Sequence, residues 1–178
     1  MMSSDFIPNI GFLIVNDLSD RSLAILGEGQ TNRYEYWGAS KSFPGFLPVS
    51  DRIWIPHTPY KHANPCVRLQ TYVNEELRQD ENTRNLIYTP EDILKFVSER
   101  YQNVPLKKGD VFLTGTPGGV IFNVPRWKVR LASLIGLDRF QKLAINLKDG
   151  HASQFLSKGN KISVSGEWLG SVDVVIQD

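Results

Sequence analysis

Apolar and polar positions along the chain predict a strand-rich fold. Short apolar or alternating runs of this kind are typical of strands, and they fall at 10–15, 66–73, 77–80, 111–114, 161–164 and 171–176. The runs 66–73 and 77–80 flank the turn Asn74-Glu75-Glu76, which predicts a hairpin. The segment 49–65 is expected to be a strand followed by a Pro-rich loop. The predicted fold class is therefore α+β, with strands dominant.

One helix has clear boundaries in the sequence. Thr89 is the expected N-cap, Pro90 occupies the first helical position, and two acidic residues follow in the first turn. Apolar residues then recur on one face up to about Tyr101, and they are Ile93, Leu94, Phe96 and Val97. A helix is thus predicted from Pro90 to the neighbourhood of Tyr101.

Four other segments have weaker signals. Residues 22–26 are expected to form a short helical turn, and 27–38, which is polar and aromatic, to form a loop. Residues 126–140 alternate basic with apolar side chains, which predicts a second amphipathic helix, and 143–147 could form a strand. We therefore expect a helical insertion at about 126–154 within a single domain spanning 1–178.

Composition narrows the class of protein without identifying it. The chain has 178 residues and a formal net charge of +1, so there is no strong field to attract nucleic acid or an anionic membrane. Cys66 is the single cysteine, which excludes an intrachain disulfide and suits a reducing compartment. No apolar stretch reaches the length of a membrane span. We expect a cytoplasmic protein without a nucleic-acid or membrane partner.

Three polar clusters could carry chemistry. Asp17, after the first apolar run, could bind a hard metal ion, or it could cap a helix and pair with Arg21. Lys41 lies among apolar and aromatic neighbours, where it could stabilise an oxyanion, although most lysines are solvated. The Gly-rich loop 114–119 could hold a ligand or simply connect two elements. His57, His62 and His151 are not at metal-ligand spacing, and surface positions are expected for His57 and His62.

Four motifs in order resemble the fumarylacetoacetate hydrolase family. They are Asp-x-Ser-x-Arg at 17–21, Lys-Ser-Phe at 41–43, Val-Asn-x-Glu-x-Arg-Gln at 73–79, and Gly-Asp-x-x-x-Thr-Gly-Thr-Pro-x-Gly-Val at 109–120. Each motif is weak alone, and their order makes the match specific. The resemblance implies a mixed β-sandwich roll, homodimers, and a divalent ion, Mg²⁺ or else Mn²⁺ or Ca²⁺. It also implies a small 2-oxo or 1,3-dicarbonyl acid as substrate, processed through a metal-stabilised enolate by hydrolysis, decarboxylation, hydration or isomerisation.

The same resemblance assigns roles residue by residue. Asp17 matches a metal ligand, Arg21 and Lys41 match the cationic catalytic residues, and Thr116 matches the threonine that holds the substrate carboxylate. Thr114 and Gly115 would support that loop.

Two features depart from the family pattern. The family's Glu-x-Glu metal motif precedes the aspartate, and residues 1–16 contain no such motif. The family's glutamine, three residues beyond the arginine, is Ala24. We expect the C-terminal part of a longer enzyme. The alternatives are a site completed by another chain, and a truncated, inactive member that serves as a carboxylate-binding or subunit-interaction module.

Overall fold

A four-stranded antiparallel sheet organises the part of the chain that can be described. The computed structural model describes residues 10–57, 64–103, 106–120 and 155–177, with positions 134, 136–138, 141 and 144. The strands, in the sheet order β2-β1-β3-β4, are β1 (Arg68–Val73), β2 (Glu76–Asn82), β3 (Lys161–Ser165) and β4 (Ser171–Val175). The corresponding sequence predictions are confirmed, with ends that differ by no more than two residues.

The predicted β1–β2 hairpin is present. Its turn residues Asn74 and Glu75 have φ values of 48° and 71°, the positive values that a two-residue hairpin turn matched to the right-handed strand twist requires. The Asn74 side chain accepts a hydrogen bond from the backbone N–H of Lys161 at 2.9 Å. This bond ties the hairpin turn to the start of β3.

The hydrophobic core lies on one face of the sheet. Ile162 and Val164 alternate with less buried residues on β3, as a strand with one buried face requires. The fully buried apolar residues among those described are Ile14, Val67, Ile162, Val164, Leu169 and Val172. A Cβ atom at Gly166 would lie 2.3 Å from Ile14 Cδ1, so a glycine there lets the segment around Ile14 reach the core.

Two short helices precede the sheet. They are α1 (Arg21–Leu26) and α2 (Arg33–Ala39). The helical turn predicted at 22–26 is confirmed, whereas the prediction of a loop at 27–38 is wrong because α2 occupies its second half. A Cβ at Gly27 would lie 2.4 Å from the Tyr36 Cβ, which shows that α1 and α2 pack closely. This packing stabilises α2, although the helix propensity of its own residues is weak.

The helix α3 (Pro90–Arg100) follows the sequence prediction at both ends. Thr89 and Asp92 form a reciprocal capping box, and Tyr101 is the C-cap. Hydrogen bonds from the Thr89 side chain and backbone hold the pKa of the Asp92 carboxyl below its usual value. The predicted apolar face is right except for Phe96, which is 61% exposed.

The run 111–114 does not form the buried strand that its sequence predicts. Within the described residues it joins no β-ladder, and Val111 and Leu113 are 51% and 39% exposed. A short apolar run favours an extended backbone, but it forms a strand only where another strand supplies hydrogen bonds.

Several sequence predictions concern residues that the structure does not describe. The predicted insertion at about 126–154, the strand at 143–147, His62 and His151 lie wholly or mostly outside the described residues. His57 is exposed, as expected. Over the described part of the chain, no helix has both the length and the apolar character needed to cross a membrane. The sheet and helices together confirm the α+β fold class.

Candidate active site

Two extended segments run antiparallel and bring the first two predicted motifs together. Residues 12–20 run antiparallel to residues 40–54, and backbone hydrogen bonds join the two segments. These bonds include Phe12 N–H to Trp54 O at 2.8 Å and Asp20 N–H to Ser40 O at 2.8 Å. Bridges form only at Phe12 and Val15, and of residues 10–15 Ile14 alone is fully buried, so the predicted buried strand is irregular and half-buried. The pairing sets Asp17 opposite the chain that carries Lys41.

Lys41 and Asp17 form a partly buried ion pair. Lys41 Nζ lies 2.5 Å from Asp17 Oδ2, and the side chains are 23% and 21% exposed. Lys41 Nζ also donates to Ser19 Oγ at 2.9 Å and lies 5.4 Å from the centre of the Trp37 ring. A carboxylate, a hydroxyl and an aromatic face thus fix the ammonium group. An ammonium has three N–H donors, so one is left for another acceptor.

The structure does not show the alternative in which Asp17 caps a helix and pairs with Arg21. Asp20, rather than Asp17, caps α1, since its Oδ1 accepts from Leu23 N–H at 3.1 Å. Asp17 pairs with Lys41, and Arg21 makes no ion pair with any residue that the structure describes. Arg21 starts α1 and lines the cleft described below.

The Gly-rich loop is anchored on β2, and a defined turn at 107–110 precedes the segment that leads into it. Asp110 caps the turn by accepting from Lys107 N–H at 2.7 Å, and Gly109 has a positive φ of 98°, which glycine adopts readily in turns. Gln79 Nε2 donates to Pro117 O at 3.1 Å. A Cβ at Gly119 would lie 2.3 Å from the Arg78 carbonyl oxygen, so only glycine allows this loop to approach β2 so closely.

A wide cleft of ≈ 1260 Å³ connects these parts. Asp17, Arg21 and the loop residues Thr114, Gly115 and Thr116 all line it, and Lys41 joins them through Asp17. Its remaining walls are mainly apolar, and they include Phe43, Phe46, Ile93, Leu94, Ile162 and Val164. The structure therefore places five of the six predicted site residues on one cavity with a polar part and a large apolar part. Lys41 does not line the cavity and is linked to it through its bond to Asp17.

The acidic groups at the cleft do not complete a site for a divalent ion. Asp20 caps α1, Asp110 caps the loop turn, and Asp17 is bonded to Lys41. Over the described residues, no group of three or more His, Cys, Asp or Glu side chains is placed to hold a metal. Mg²⁺ prefers near-octahedral oxygen coordination with carboxylates, and Asp17 alone does not supply it.

Three residues of the site belong to the sequence motifs, but the motifs alone do not indicate what these residues do. Ser19 supports the Lys41 ammonium, Gln79 anchors the loop, and Arg78 lines the cleft beside it. In the sequence they are distinguished only by lying in the motifs 17–21 and 73–79. A motif specifies the type of a residue, but it does not specify which residues it contacts.

Fold and site together define a protein with a wide cleft that is lined by residues of a sheet, a helix and a Gly-rich loop. Residues 9–177 match the family described as fumarylacetoacetate (FAA) hydrolase, C-terminal. The chain belongs to this family, as its motifs predict.

Named relatives give the family an enzymatic character. The chain is 32% identical over 110 residues to the mitochondrial oxaloacetate tautomerase Fahd2a of Rattus norvegicus, which covers 62% of this chain and 32% of that protein. It is 33% identical over 119 residues to an uncharacterized protein of Methanocaldococcus jannaschii, which covers 66% of this chain and 43% of that protein. The chain thus spans less than half the length of these relatives.

Solved structures share the fold. A probable 2-hydroxyhepta-2,4-diene-1,7-dioate isomerase from Mycobacterium abscessus aligns with a TM-score of 0.62 and 24% identity, over 94% of this chain and 50% of that one. A fumarylpyruvate hydrolase from Pseudomonas aeruginosa, solved with Mn²⁺ and pyruvate, aligns with a TM-score of 0.53 and 19% identity, over 93% and 53% of the two chains. The fold is therefore of the FAA hydrolase type.

Proposed function

We propose that this chain forms the substrate-binding part of an enzyme that acts on a small 2-oxo or 1,3-dicarbonyl acid and stabilises its enolate. The observation that carries the proposal is the convergence of Asp17, Arg21 and Thr114–Thr116 on one cleft, with Lys41 bonded to Asp17. Relatives and fold neighbours named as a tautomerase, an isomerase and a hydrolase support it.

Different residues of the chain would bind the two ends of the substrate. The loop around Thr116 offers hydroxyl and backbone N–H groups to the carboxylate end. Lys41 and Arg21 supply positive charge to the oxygen that becomes negative as the enolate forms. Because Ser19 and Asp17 fix the Lys41 ammonium before substrate arrives, little reorganisation is needed when charge develops.

A divalent ion could bind at this cleft only with ligands beyond those that the described residues supply. Asp17 would contribute one carboxylate, and Mg²⁺, Mn²⁺ or Ca²⁺ would need further oxygen ligands beyond those in the described residues. When bound, such an ion would polarise the two oxygens of the acid.

Binding of oxalate, a planar mimic of an enolised 2-oxo acid, tests the proposal. We expect calorimetric titration to show binding, stronger with Mg²⁺ than without it, and a raised melting temperature at saturating ligand. Turnover is then measured by following the enol–keto conversion of oxaloacetate. Absence of both heat and thermal shift, with and without Mg²⁺, would contradict the proposal.

The second candidate is a carboxylate-binding or subunit-interaction module without catalysis. The lack of a complete metal donor set among the described residues and the neutralisation of Asp17 by Lys41 favour it. Oxalate binding without turnover of oxaloacetate or acylpyruvates would support this module over the enzyme. The homodimer and the cytoplasmic location that the sequence suggests remain predictions, and light scattering checks the first.

A further inference from the structure

We propose that Arg78 is a further substrate-binding residue, the cation that pairs with the substrate carboxylate beside the Gly-rich loop. This inference rests on the proposed function, because it takes the cleft to bind a small 2-oxo acid.

A β-bulge turns Arg78 towards the cleft. In the β1–β2 ladder, Thr71 pairs with Gln79 and Tyr72 pairs with Leu77, so Arg78 is the extra residue without a partner. In a regular strand, neighbouring side chains point to opposite faces, whereas a bulge can direct two consecutive side chains to one side. Arg78 and Gln79 both line the cleft, and Leu77 and Asp80 do not.

One donor of the Arg78 guanidinium is buried and has no hydrogen-bond partner among the described residues. Its Nε is buried and makes no hydrogen bond within the described part of the chain. Its one ion pair, Nη2 to Glu76 Oε2 at 3.2 Å, involves a carboxylate that is 68% exposed, which contributes little in water. A buried arginine donor without a partner is costly, and a ligand carboxylate would satisfy it.

The loop that faces the substrate packs directly on Arg78. A Cβ at Gly119 would lie 2.3 Å from the Arg78 carbonyl oxygen, and the neighbouring Gln79 side chain donates to Pro117 O at 3.1 Å. These contacts fix the loop next to the residue that carries the unpaired Nε donor. A carboxylate held by the hydroxyls and backbone of 114–116 would therefore have a guanidinium nearby.

Comparing pyruvate with pyruvamide isolates this role, because the two differ in charge at the carboxylate position and little in size. We expect the wild-type protein to bind pyruvate more tightly, and Arg78→Gln to weaken pyruvate binding by on the order of tenfold to a hundredfold while pyruvamide binding changes less than about twofold. Arg78→Lys should restore only part of the affinity because it lacks the fork of donors.

Two matched variants complete the experiment. Glu76→Gln frees Nη2 and should strengthen pyruvate binding, whereas Arg84→Gln, which removes an equal charge from the exposed turn after β2, should leave both affinities unchanged. Equal losses for both probes in Arg78→Gln, or none for either, would overturn the role of Arg78 and leave the proposed function standing. Failure of the wild type to bind either probe or oxalate would overturn both.

Discussion

At the scale of single residues, Lys41 is the side chain whose contacts bear most directly on chemistry. Its ammonium is held by Asp17, Ser19 and the face of Trp37, so it is both a structural ion-pair partner and a preorganised positive charge. The two roles predict different consequences when the charge is removed. A structural ion pair affects stability, whereas an oxyanion-stabilising group affects turnover.

We predict that Lys41→Met lowers kcat/KM for the active 2-oxo acid by about 100-fold or more, because one fixed oxyanion donor typically contributes that much. Methionine keeps most of the apolar stem against Trp37, so circular dichroism should show a folded protein. The control is Lys95→Met, an exposed lysine on α3 whose loss should leave turnover unchanged. A Lys41→Met enzyme with wild-type kcat/KM would remove Lys41 from the catalytic set.

The residue types of the site were predictable, but their pairing was not. Motif order indicated Asp17, Arg21 and Lys41 from the sequence alone. The bond between Asp17 and Lys41 spans 24 positions, and it depends on α1 and α2 folding back between the two extended segments. Nothing local in the sequence encodes that return, so Ser19 and the Lys41–Asp17 pair became visible only in three dimensions.

At the scale of elements, the Gly-rich loop depends on one glycine for its contact with β2. Gly119 has a φ of 92° and its missing Cβ would overlap the Arg78 carbonyl oxygen, whereas Gly118 has open space and no such constraint. We predict that Gly119→Ala costs about 1–2 kcal/mol from the backbone conformation alone and weakens oxalate binding by displacing the loop. Gly118→Ala is the matched control.

Chemical denaturation and calorimetry check this prediction together. Only Gly119→Ala should lower both the denaturation midpoint and the oxalate affinity. Equal behaviour of the two alanine variants would show that the contact with β2 does not position the loop.

Elements with local determinants were predicted well, and elements that depend on partners were not. The Asn74-Glu75 turn and the Thr89–Asp92 capping box are encoded by the residues that form them. In contrast, α2 depends on packing against α1, and 111–114 lacks a neighbouring strand within the described part of the chain. Propensity and periodicity do not report such neighbours.

At the scale of the whole molecule, a small core supports a large, mainly apolar cleft. Ile14 belongs to that core and lies three residues before Asp17 in sequence. Its backbone also pairs with Ser50, through Ser50 N–H to Ile14 O at 2.8 Å. The segment that carries Asp17 is therefore attached to the sheet where Ile14 meets Gly166 and its core neighbours, and Phe12 and Leu18 of the same segment pack against that core with less burial.

This attachment predicts that stability and binding are coupled through Ile14. We expect Ile14→Ala to lower the free energy of unfolding by about 2–4 kcal/mol, because a buried isoleucine loses transfer energy and leaves a cavity. Ile53→Ala, on the partner segment but 62% exposed, should cost less than about 1 kcal/mol. Urea denaturation gives both values, and calorimetry at low temperature, where both variants are folded, should show weaker oxalate binding for Ile14→Ala alone. If Ile14→Ala unfolds more easily but binds oxalate as the wild type does, the core does not hold Asp17 in place, and the pairing of residues 12–20 with 40–54 must position it instead.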